Sequence, residues 1–506
     1  MTSRPTGVGE GLLPARSARA VEPGERIHVV GVAGAGASAA ALLGSHAGAV
    51  VSGCDPGGPS PYTAALDAAR IPISWSHDPL HVTTSPRPAR LAVTKALTAV
   101  APDHPELEAA RHLGIPLEPW QQVVVDAAVG SRLVAVAGTH GKSTTAGWLV
   151  HVLADAGTDP RAFVGALMPP ELTNGLPATA RWGSGPAFVV EADEYAGNFD
   201  AYRPEIATLT SVDWDHPDVF SEPSTVIAAF ASWLRAAADD DLRPTIVANT
   251  GDAGVVDVLD ALQGWPGRIV TVALVDTGTG QPAPPADLSA EIRSVGPAAT
   301  TISVRGIEPG QRARSVRLSI AGRHNISNAL VAAATAQALG IDSDAIVKGL
   351  ATFQGVGRRL ERKGEAAGVV VYDDYGHHPT AIRATLEALR QREPKRRVWA
   401  VYEPLTYHRT AAFLGAFAEV LATADAVAIA DIWAGRDRNT RLTSATALAQ
   451  AVARRRPEIP IAAPGSVEAT AEWLAREVRS GDAVLVMGGG KSYRIGERLL
   501  EILETR

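Results

Sequence analysis

Short apolar runs alternate with amphipathic or alanine-rich stretches along almost the whole chain. Ile27-His-Val-Val-Gly-Val reads as a short strand, and the alanine-rich stretch 37–47 behind it as a helix. Val50-Val-Ser-Gly-Cys-Asp55 is a second strand that ends on an acidic residue. Strand, helix and strand in that order predict a βαβ unit. A second αβ series starts near Leu133. A third starts near Val369, with strands expected at 369–372, 397–402, 426–431 and 483–487 and apolar helical runs between them. The stretch 272–316 is rich in turn residues, notably Gly-Thr-Gly-Gln-Pro-Ala-Pro-Pro at 278–285. Its alternating runs Thr300–Val304 and Ser315–Ile320 predict an antiparallel appendage. With no tandem repeat in view, the economical division is three α/β blocks: 1–126, 127–357 and 358–506.

A chain of 506 residues is long enough for about two to four domains. Its 46% apolar content with mixed charge belongs to a chain that buries large cores. A net charge of −7 argues against nucleic-acid binding, which usually calls for a basic face. No stretch reaches the ~18 consecutive apolar residues of a membrane span. Residues 1–25 carry Arg4, Arg16 and Arg19 but no apolar block of signal-peptide length, and they read as a flexible leader. The single cysteine, Cys54, excludes an internal disulfide framework, fits a reducing cytoplasm and reads as an ordinary small buried residue.

The richest chemistry lies in Val134-Ala-Val-Ala-Gly-Thr-His-Gly-Lys-Ser-Thr-Thr145. An apolar strand enters a glycine turn, then a lysine, then hydroxyls that open a helix. This is the layout of a loop that cradles nucleotide phosphates. Backbone N–H groups of Gly138, Thr139 and Gly141 through Lys142 would face the phosphate oxygens. Lys142 would reach the β- and γ-phosphates, and the hydroxyls of Ser143 and Thr144 would open the helix, with Ser143 on Mg2+. The spacing departs from the usual phosphate loop, because Val136 stands where a glycine six residues before the lysine is expected. Downstream, Phe188-Val-Val-Glu-Ala-Asp-Glu-Tyr195 is a buried strand that ends in carboxylates, the oxygen ligands a hard cation needs; Glu191 is the first choice. Leu209-Thr-Ser-Val-Asp-Trp-Asp-His-Pro217 is another strand running into Asp215 and His216. In the first block, Gly31-Val-Ala-Gly-Ala-Gly36 follows a strand and permits close approach of backbone to a diphosphate, with Asp55 at the end of the next strand. By itself that fingerprint says dinucleotide-like ligand and does not separate NAD from a UDP-sugar.

These segments stand in the order found in the Mur ligases, the ATP-dependent amide-bond-forming enzymes of peptidoglycan synthesis, and the resemblance covers nearly the whole chain. It is carried further by Asp103-His-Pro-Glu-Leu-Glu-Ala-Ala-Arg111, His324-Asn-Ile-Ser-Asn-Ala329, Phe353-Gln-Gly-Val-Gly-Arg-Arg359, Asp373-Asp-Tyr-Gly-His-His-Pro-Thr380 and Tyr402-Glu-Pro-Leu-Thr-Tyr-His-Arg-Thr410. The resemblance implies an α/β, three-domain architecture: a Rossmann-like N-terminal domain for a UDP-sugar, a central ATP-binding domain of P-loop type with an antiparallel appendage, and a Rossmann-like C-terminal domain that closes on ATP and takes the amino acid. It implies ATP and Mg2+, with L-alanine joined to UDP-N-acetylmuramate through an acyl phosphate. It also implies a cytoplasmic monomer or homodimer with no nucleic-acid partner.

The roles it implies are these. Lys142 and Ser143 hold phosphates and Mg2+, while Glu191 and His216 resemble a second metal site. Asn325 and Asn328, three apart on a helix, resemble the adenine-contacting pair. Arg359 resembles a hinge arginine on ATP, and Asp374 a ribose ligand. His377 and Arg409 face the reaction centre, Arg409 toward the amino acid's carboxylate, whereas His378 is either a further site group or a structural strand-end residue. Gly34, Gly36, Ser38 and Asp55 are the corresponding UDP-sugar contacts.

Absences and departures narrow the reading. Several later-acting members place a carbamylated lysine after the Asp-His strand, and no lysine occurs from 205 to 241 here. That favours the type that adds the first amino acid, or its relative that attaches a recycled tripeptide. Leu405 stands where a histidine helps build the amino-acid pocket, which leaves glycine, serine or another substrate open, as well as a repurposed, non-catalytic member. Met487-Gly-Gly-Gly-Lys-Ser492 reads as a glycine-rich turn and not as a second ATP site.

Overall fold

The computed structural model describes residues 7–173, 175–238, 242–275, 285–308, 310, 312–435, 437 and 439–505. Three sheets follow one another along the chain. The first has five strands, all parallel, in the spatial order Ile73–Ser74, Val50–Cys54, Arg26–Val30, Arg90–Val93 and Leu117–Pro119. The second has ten: Arg314–Leu318, Thr300–Arg305, Leu288–Val295, Ile269–Val275, Thr245–Asn249, Ile206–Leu209, Arg132–Ala137, Ala187–Ala192, Arg161–Met168 and Ala178–Arg181. The third has six: Glu361–Ala366, Val369–Asp374, Asp482–Met487, Arg397–Tyr402, Ala426–Ala430 and Ile461–Gly465.

The central strands of each sheet are parallel and covered by helices on both faces, which is why they read as unbroken apolar runs. Every residue of Val369–Asp374 and of Asp482–Met487 is buried. The runs Thr300–Val304 and Ser315–Ile320 do form antiparallel strands. Thr300–Arg305 pairs with Leu288–Val295 and Arg314–Leu318 with Thr300–Arg305, so the two extend the edge of the ten-stranded sheet. Of the turn-rich motif at 278–285, only the last residue lies within the described residues.

The first two sheets are joined by packing. The alanine-rich helix Ala35–His46 buries Ala37, Ala39, Ala40, Ala41, Leu42 and Leu43 in a core that also contains Phe163, Ala178 and Ala180 of the second unit. Small side chains let a helix approach two sheets at once. Trp120 of the first unit meets Phe163 of the second edge-on at 5.3 Å.

The stretch 7–25 is not a loose leader. The Leu13 N–H bonds the Leu117 carbonyl at 2.8 Å, and the Arg16 guanidinium bonds Glu118 and Asp126, each at 2.7 Å. Both carboxylates also accept from Arg90, which is 2% exposed. Two arginines on two buried carboxylates give that stretch a fixed place on the first sheet.

Candidate functional site

The central site is built where three neighbouring parallel strands end side by side. Arg132–Ala137 lies between Ile206–Leu209 and Ala187–Ala192, and such strand ends are where open α/β sheets bind ligands. Gly138 follows at φ +139°, then Gly141 at φ +82°, and the helix Lys142–Asp155 begins. Neither glycine tolerates a side chain. A Cβ on Gly138 would lie 2.2 Å from Thr210 Oγ1, and one on Gly141 2.4 Å from Asn328 Oδ1. Thr139 ties the loop to the next strand: its N–H bonds the Ser211 carbonyl, its hydroxyl donates to the Asp213 carbonyl, and it accepts from the Asp213 N–H. The result is a rigid backbone cradle at a helix N-terminus, suited to phosphate.

Charge is concentrated at the cradle's mouth. Lys142 Nζ lies 2.8 Å from Glu194 and 3.2 Å from Asp193. Burial works to lower the Lys142 pKa, but Glu194 and Asp193 outweigh it and hold the ammonium firmly charged. Burial pushes the Glu194 carboxyl up to about 7 despite Lys142, and the Asp193 charge adds to the rise. Ser143 Oγ donates to Glu191 Oε1 at 3.0 Å, and Glu191 Oε2 accepts from the Gly165 N–H at 2.6 Å. Ser143 and Glu191 are therefore an adjacent oxygen pair of the kind Mg2+ takes. His216 is grouped differently from the sequence expectation. It offers a ligand atom within 4.8 Å of those of Asp193 and Glu194.

The third unit reaches into the same place. Arg359 donates to Ser143 Oγ at 2.7 Å and lies over the Tyr375 ring. Asp374 accepts from the backbone N–H groups of Leu360 and Gly376, each at 2.7 Å, and burial raises its pKa. Arg409, 1% exposed, donates to Asp215 at 2.8 Å and to His216 Nδ1 at 3.0 Å. Two of its nitrogens thus serve the second unit. Burial alone would raise the Asp215 carboxyl, but His216 and Arg409 outweigh it and hold it well below the usual carboxylate range. His377 donates from Nδ1 to the Tyr375 carbonyl at 2.9 Å. Burial, aided by Arg409, keeps its pKa well below the ordinary value, so the ring is neutral with its Nε2 lone pair available. His378 caps the helix Pro379–Arg392 by accepting from the Thr380 N–H, a structural duty.

These groups line one cleft of about 710 Å3 between the second and third units. Thr139, Gly141, Lys142, Ser143, Thr144, Glu191 and His216 face it, as do Asn325, Asn328, Arg359, Asp374, His377 and Arg409. Gly138 stands behind it as the turn. Asn325 and Asn328 open the helix Arg323–Ala338 and bond each other at 3.0 Å, and Asn325 also bonds the Ala321 carbonyl.

The first-unit residues are not brought to this cleft. Gly36 lies against the Trp120 indole, where a Cβ would sit 2.2 Å from the ring. Ser38 is fully buried, bonded to the Ala35 carbonyl and the Thr179 hydroxyl. Both pack the first unit against its neighbours, Gly36 against Trp120 and Ser38 against Thr179. Gly34 caps the helix Ala35–His46, and Asp55 pins the glycine turn by accepting from the N–H groups of Ala33 and Gly57.

Sequence reasoning passed over Arg358, Asp213 and His140. Arg358 is buried on Asp373, Ser492 and the Gly488 carbonyl, anchoring Arg359 beside it. Asp213 accepts from His140 of the second unit and from Thr380 of the third. Its position two residues before Asp215 on an extended segment was the available signal. Met487 ends a strand, and Gly488 at φ +147° turns the chain toward the helix Tyr493–Glu504.

Three family profiles match the chain in order: Mur ligase family, catalytic domain, over 26–131; Mur ligase middle domain over 136–336; and Mur ligase, glutamate ligase domain, over 358–490. The UDP-N-acetylmuramate–L-alanine ligase of Frankia casuarinae is 36% identical over 504 residues, covering 95% of this chain and 98% of its own. Among solved structures, UDP-N-acetylmuramate-alanine ligase MurC from Thermotoga maritima superposes with a TM-score of 0.74 at 23% identity, covering 95% of this chain and 99% of that one. A murein peptide ligase from Psychrobacter arcticus superposes with a TM-score of 0.72 at 25% identity, covering 96% and 99%.

Proposed function

The chain belongs to the Mur ligase family, and from that premise we propose that it joins L-alanine to UDP-N-acetylmuramate at the expense of ATP, in the peptidoglycan precursor pathway of the cytoplasm. The observation that supports this most is convergence: a phosphate cradle, a strand-end carboxylate and two residues of the third unit, Arg359 and Asp374, share one cleft. In this reading residues 1–126 take the UDP-sugar, 127–357 the nucleotide, and 358–506 close on the nucleotide and take the amino acid.

A carboxylate is a poor acyl donor, so the reaction divides into two easier steps. ATP, as a substrate, supplies the phosphoryl group that turns the muramyl carboxylate into an acyl phosphate, and the amine of alanine then displaces phosphate. The backbone N–H groups around Gly141 and the Lys142 ammonium balance charge on the transferring group. Ser143 and Glu191 present oxygens to Mg2+, whose charge would serve the same end. His377, held neutral with Nε2 open, is placed to accept a hydrogen bond from the incoming amine, which attacks as the free base. Arg409, fixed on Asp215 and His216, holds the third unit against the second, and exclusion of water from the cleft protects the acyl phosphate.

The test is Mg2+-dependent phosphate release from ATP in the presence of UDP-N-acetylmuramate and a panel of amino acids and short peptides. Release with L-alanine alone is the expected result. Release with glycine, serine or a murein tripeptide would keep the ligation and replace the acceptor. Absence of release with every acceptor, from protein that binds ATP, would overturn the reading.

A further inference from the structure

Outside the cleft, four of the chain's 13 histidines gather with its only cysteine in the first unit: His28, His77, His81, His104 and Cys54. They surround Glu106, whose side chain has no solvent exposure. Both of its carboxylate oxygens are engaged. Oε1 lies 2.9 Å from His81 Nδ1 and accepts from the Asp78 N–H at 3.0 Å. Oε2 lies 3.2 Å from His28 Nε2 and accepts from Cys54 Sγ at 3.0 Å. Among the described residues, no lysine or arginine forms an ion pair with Glu106. A buried carboxylate needs a cation, and here that cation is either a proton held by a histidine or a metal ion.

The donor set favours the metal. One thiol, two imidazole nitrogens and one carboxylate oxygen lie within 4.8 Å of one another. In a tetrahedral zinc site with bonds of about 2.0–2.3 Å, ligand atoms are about 3.3–3.8 Å apart. His28 Nε2 and Cys54 Sγ lie 3.2 and 3.0 Å from Glu106 Oε2 and His81 Nδ1 2.9 Å from Oε1, with the chosen ligand atoms all within 4.8 Å of one another, so side-chain shifts of up to about 1 Å reach the tetrahedral spacing. Ser52 Oγ stands 2.9 Å behind His28 Nδ1, the outer partner that a ligating imidazole ordinarily has. Coordination to a metal deprotonates a thiol outright, which would give Cys54 the charge a ligand needs. His104 is a further sign. It is 2% exposed, yet neither ring nitrogen has a hydrogen-bond partner among the described residues, and its ring meets that of His77 at 4.1 Å. His77 and His81 are 19% and 20% exposed, which leaves a way in from solvent between them.

We propose that His28 Nε2, Cys54 Sγ, His81 Nδ1 and a Glu106 carboxylate oxygen bind a divalent ion of the zinc class. Thiolate and imidazole together select such an ion over Mg2+ or Ca2+. The four ligands come from the strands Arg26–Val30 and Val50–Cys54 and the helices Leu80–Thr83 and Pro105–Leu113. The ion therefore fastens both helices to the first sheet, one residue before the Asp55 that pins the glycine turn.

The test uses the full chain, stripped with a chelator and then supplied with Zn2+ or Co2+ in buffer containing Mg2+. The wild type is expected to retain one equivalent of zinc through gel filtration. Its cobalt form is expected to show the intense near-ultraviolet thiolate-to-metal band. Cys54→Ser should abolish that band, and both Cys54→Ser and the half-buried His81→Ala should weaken zinc binding by more than about 100-fold, since loss of merely an outer partner costs about 10–100-fold. If Cys54→Ser fails to fold, the wild-type cobalt spectrum and His81→Ala decide alone. Zinc retained equally by wild type and variants, no zinc retained by the wild type, or a cobalt spectrum without the thiolate band would each overturn the site and leave Glu106 neutralised by a protonated histidine.

Discussion

Replacing Lys142 by alanine separates the catalytic from the structural use of one charge. Lys142 is 12% exposed and shared between Glu194, 2% exposed, and Asp193. Removing one partner of a buried ion pair costs about 3–5 kcal/mol when the other charge stays ionised. Glu194 has an escape, because burial already holds its carboxyl up at about 7 with Lys142 in place. Without the ammonium it rises further and takes a proton near neutrality, so the variant should lose only about 1–2 kcal/mol of stability at pH 7, the scale of one imperfectly satisfied polar group. The sign follows from linkage. A carboxyl whose folded pKa is raised contributes stability that is full below its unfolded value of 4.5 and is lost as pH rises through about 7. In the variant that window extends upward, so its deficit against wild type should be smaller at pH 6 than at pH 8.5. The catalytic effect is larger, because the ammonium that would balance the phosphoryl oxygens is gone, and kcat should fall by at least about 100-fold. Coupled ADP release gives the rate, thermal and denaturant unfolding at the two pH values give the stability, and calorimetric titration gives UDP-N-acetylmuramate affinity, which should be unchanged. A kcat within about tenfold of wild type would refute the phosphate role, a difference of only ~1.4 kcal/mol in barrier. Loss of UDP-sugar affinity in step with activity would refute separate sites.

Three further substitutions test other parts of the structure. Glu403 is 3% exposed, and burial pushes its carboxyl up to about 7; by the same linkage, Glu403→Gln should stabilise the fold by about 1–3 kcal/mol at pH 8 and by much less at pH 5, read from urea midpoints at the two pH values. Gly36→Ala would force a methyl into the Trp120 ring and should cost about 1–3 kcal/mol, with the smaller side chain of Trp120→Leu recovering part of it; a sugar-contact role for Gly36 instead predicts unchanged stability and lost UDP-N-acetylmuramate binding. Leu405 lines the cleft beside His377 and Arg409, so Leu405→His should change KM for the amino acid by about tenfold with little effect on kcat, and steady-state comparison of alanine, glycine and serine would show an unaltered pattern if the pocket lies elsewhere.

The parts of the fold that could be read from the chain were those where local pattern and tertiary burial agree. Four of the third unit's six strands appear within one or two residues of expectation because helices cover both faces and the apolar runs are unbroken, whereas the half-exposed edge strands Glu361–Ala366 and Ile461–Gly465 were not expected. The stretch 7–25 was misread for the opposite reason. Arg16 finds Glu118 and Asp126 more than 100 residues away in the chain, and nothing in a short window distinguishes such an arginine from a solvated one. The alternating runs near 300 and 315 gave strands correctly, but their attachment to the edge of the central sheet depends on pairing with Leu288–Val295, a tertiary fact. Gly36 and Ser38 show the limit of a glycine fingerprint. The same small residues serve close packing against Trp120 and Thr179 as readily as they serve a diphosphate.

In the cleft, the residues that motif reading singled out line one cavity, and their partners there are set by electrostatics. Opposite charges close to one another in a poorly solvated site pair at once, so Lys142 rests on Asp193 and Glu194, and Arg409 on Asp215 and His216. A nucleotide must draw Lys142 away from two carboxylates, one of which can then take up a proton. The bonds of Arg409 to Asp215 and His216 cross from the third unit to the second, so they exist only while the two units are together. The side chain assigned by motif to the amino acid therefore also fastens the closed cleft. Its Nη1 is buried with no hydrogen-bond partner among the described residues, and this is the one guanidinium nitrogen left to meet a carboxylate brought in by a substrate. Arg409→Lys keeps the charge but lacks the fork that reaches Asp215, His216 and a third acceptor together. Both KM for the amino acid and kcat should suffer, in contrast to Leu405→His, where KM alone should move; an effect on KM alone for Arg409→Lys would mean that closure does not depend on it.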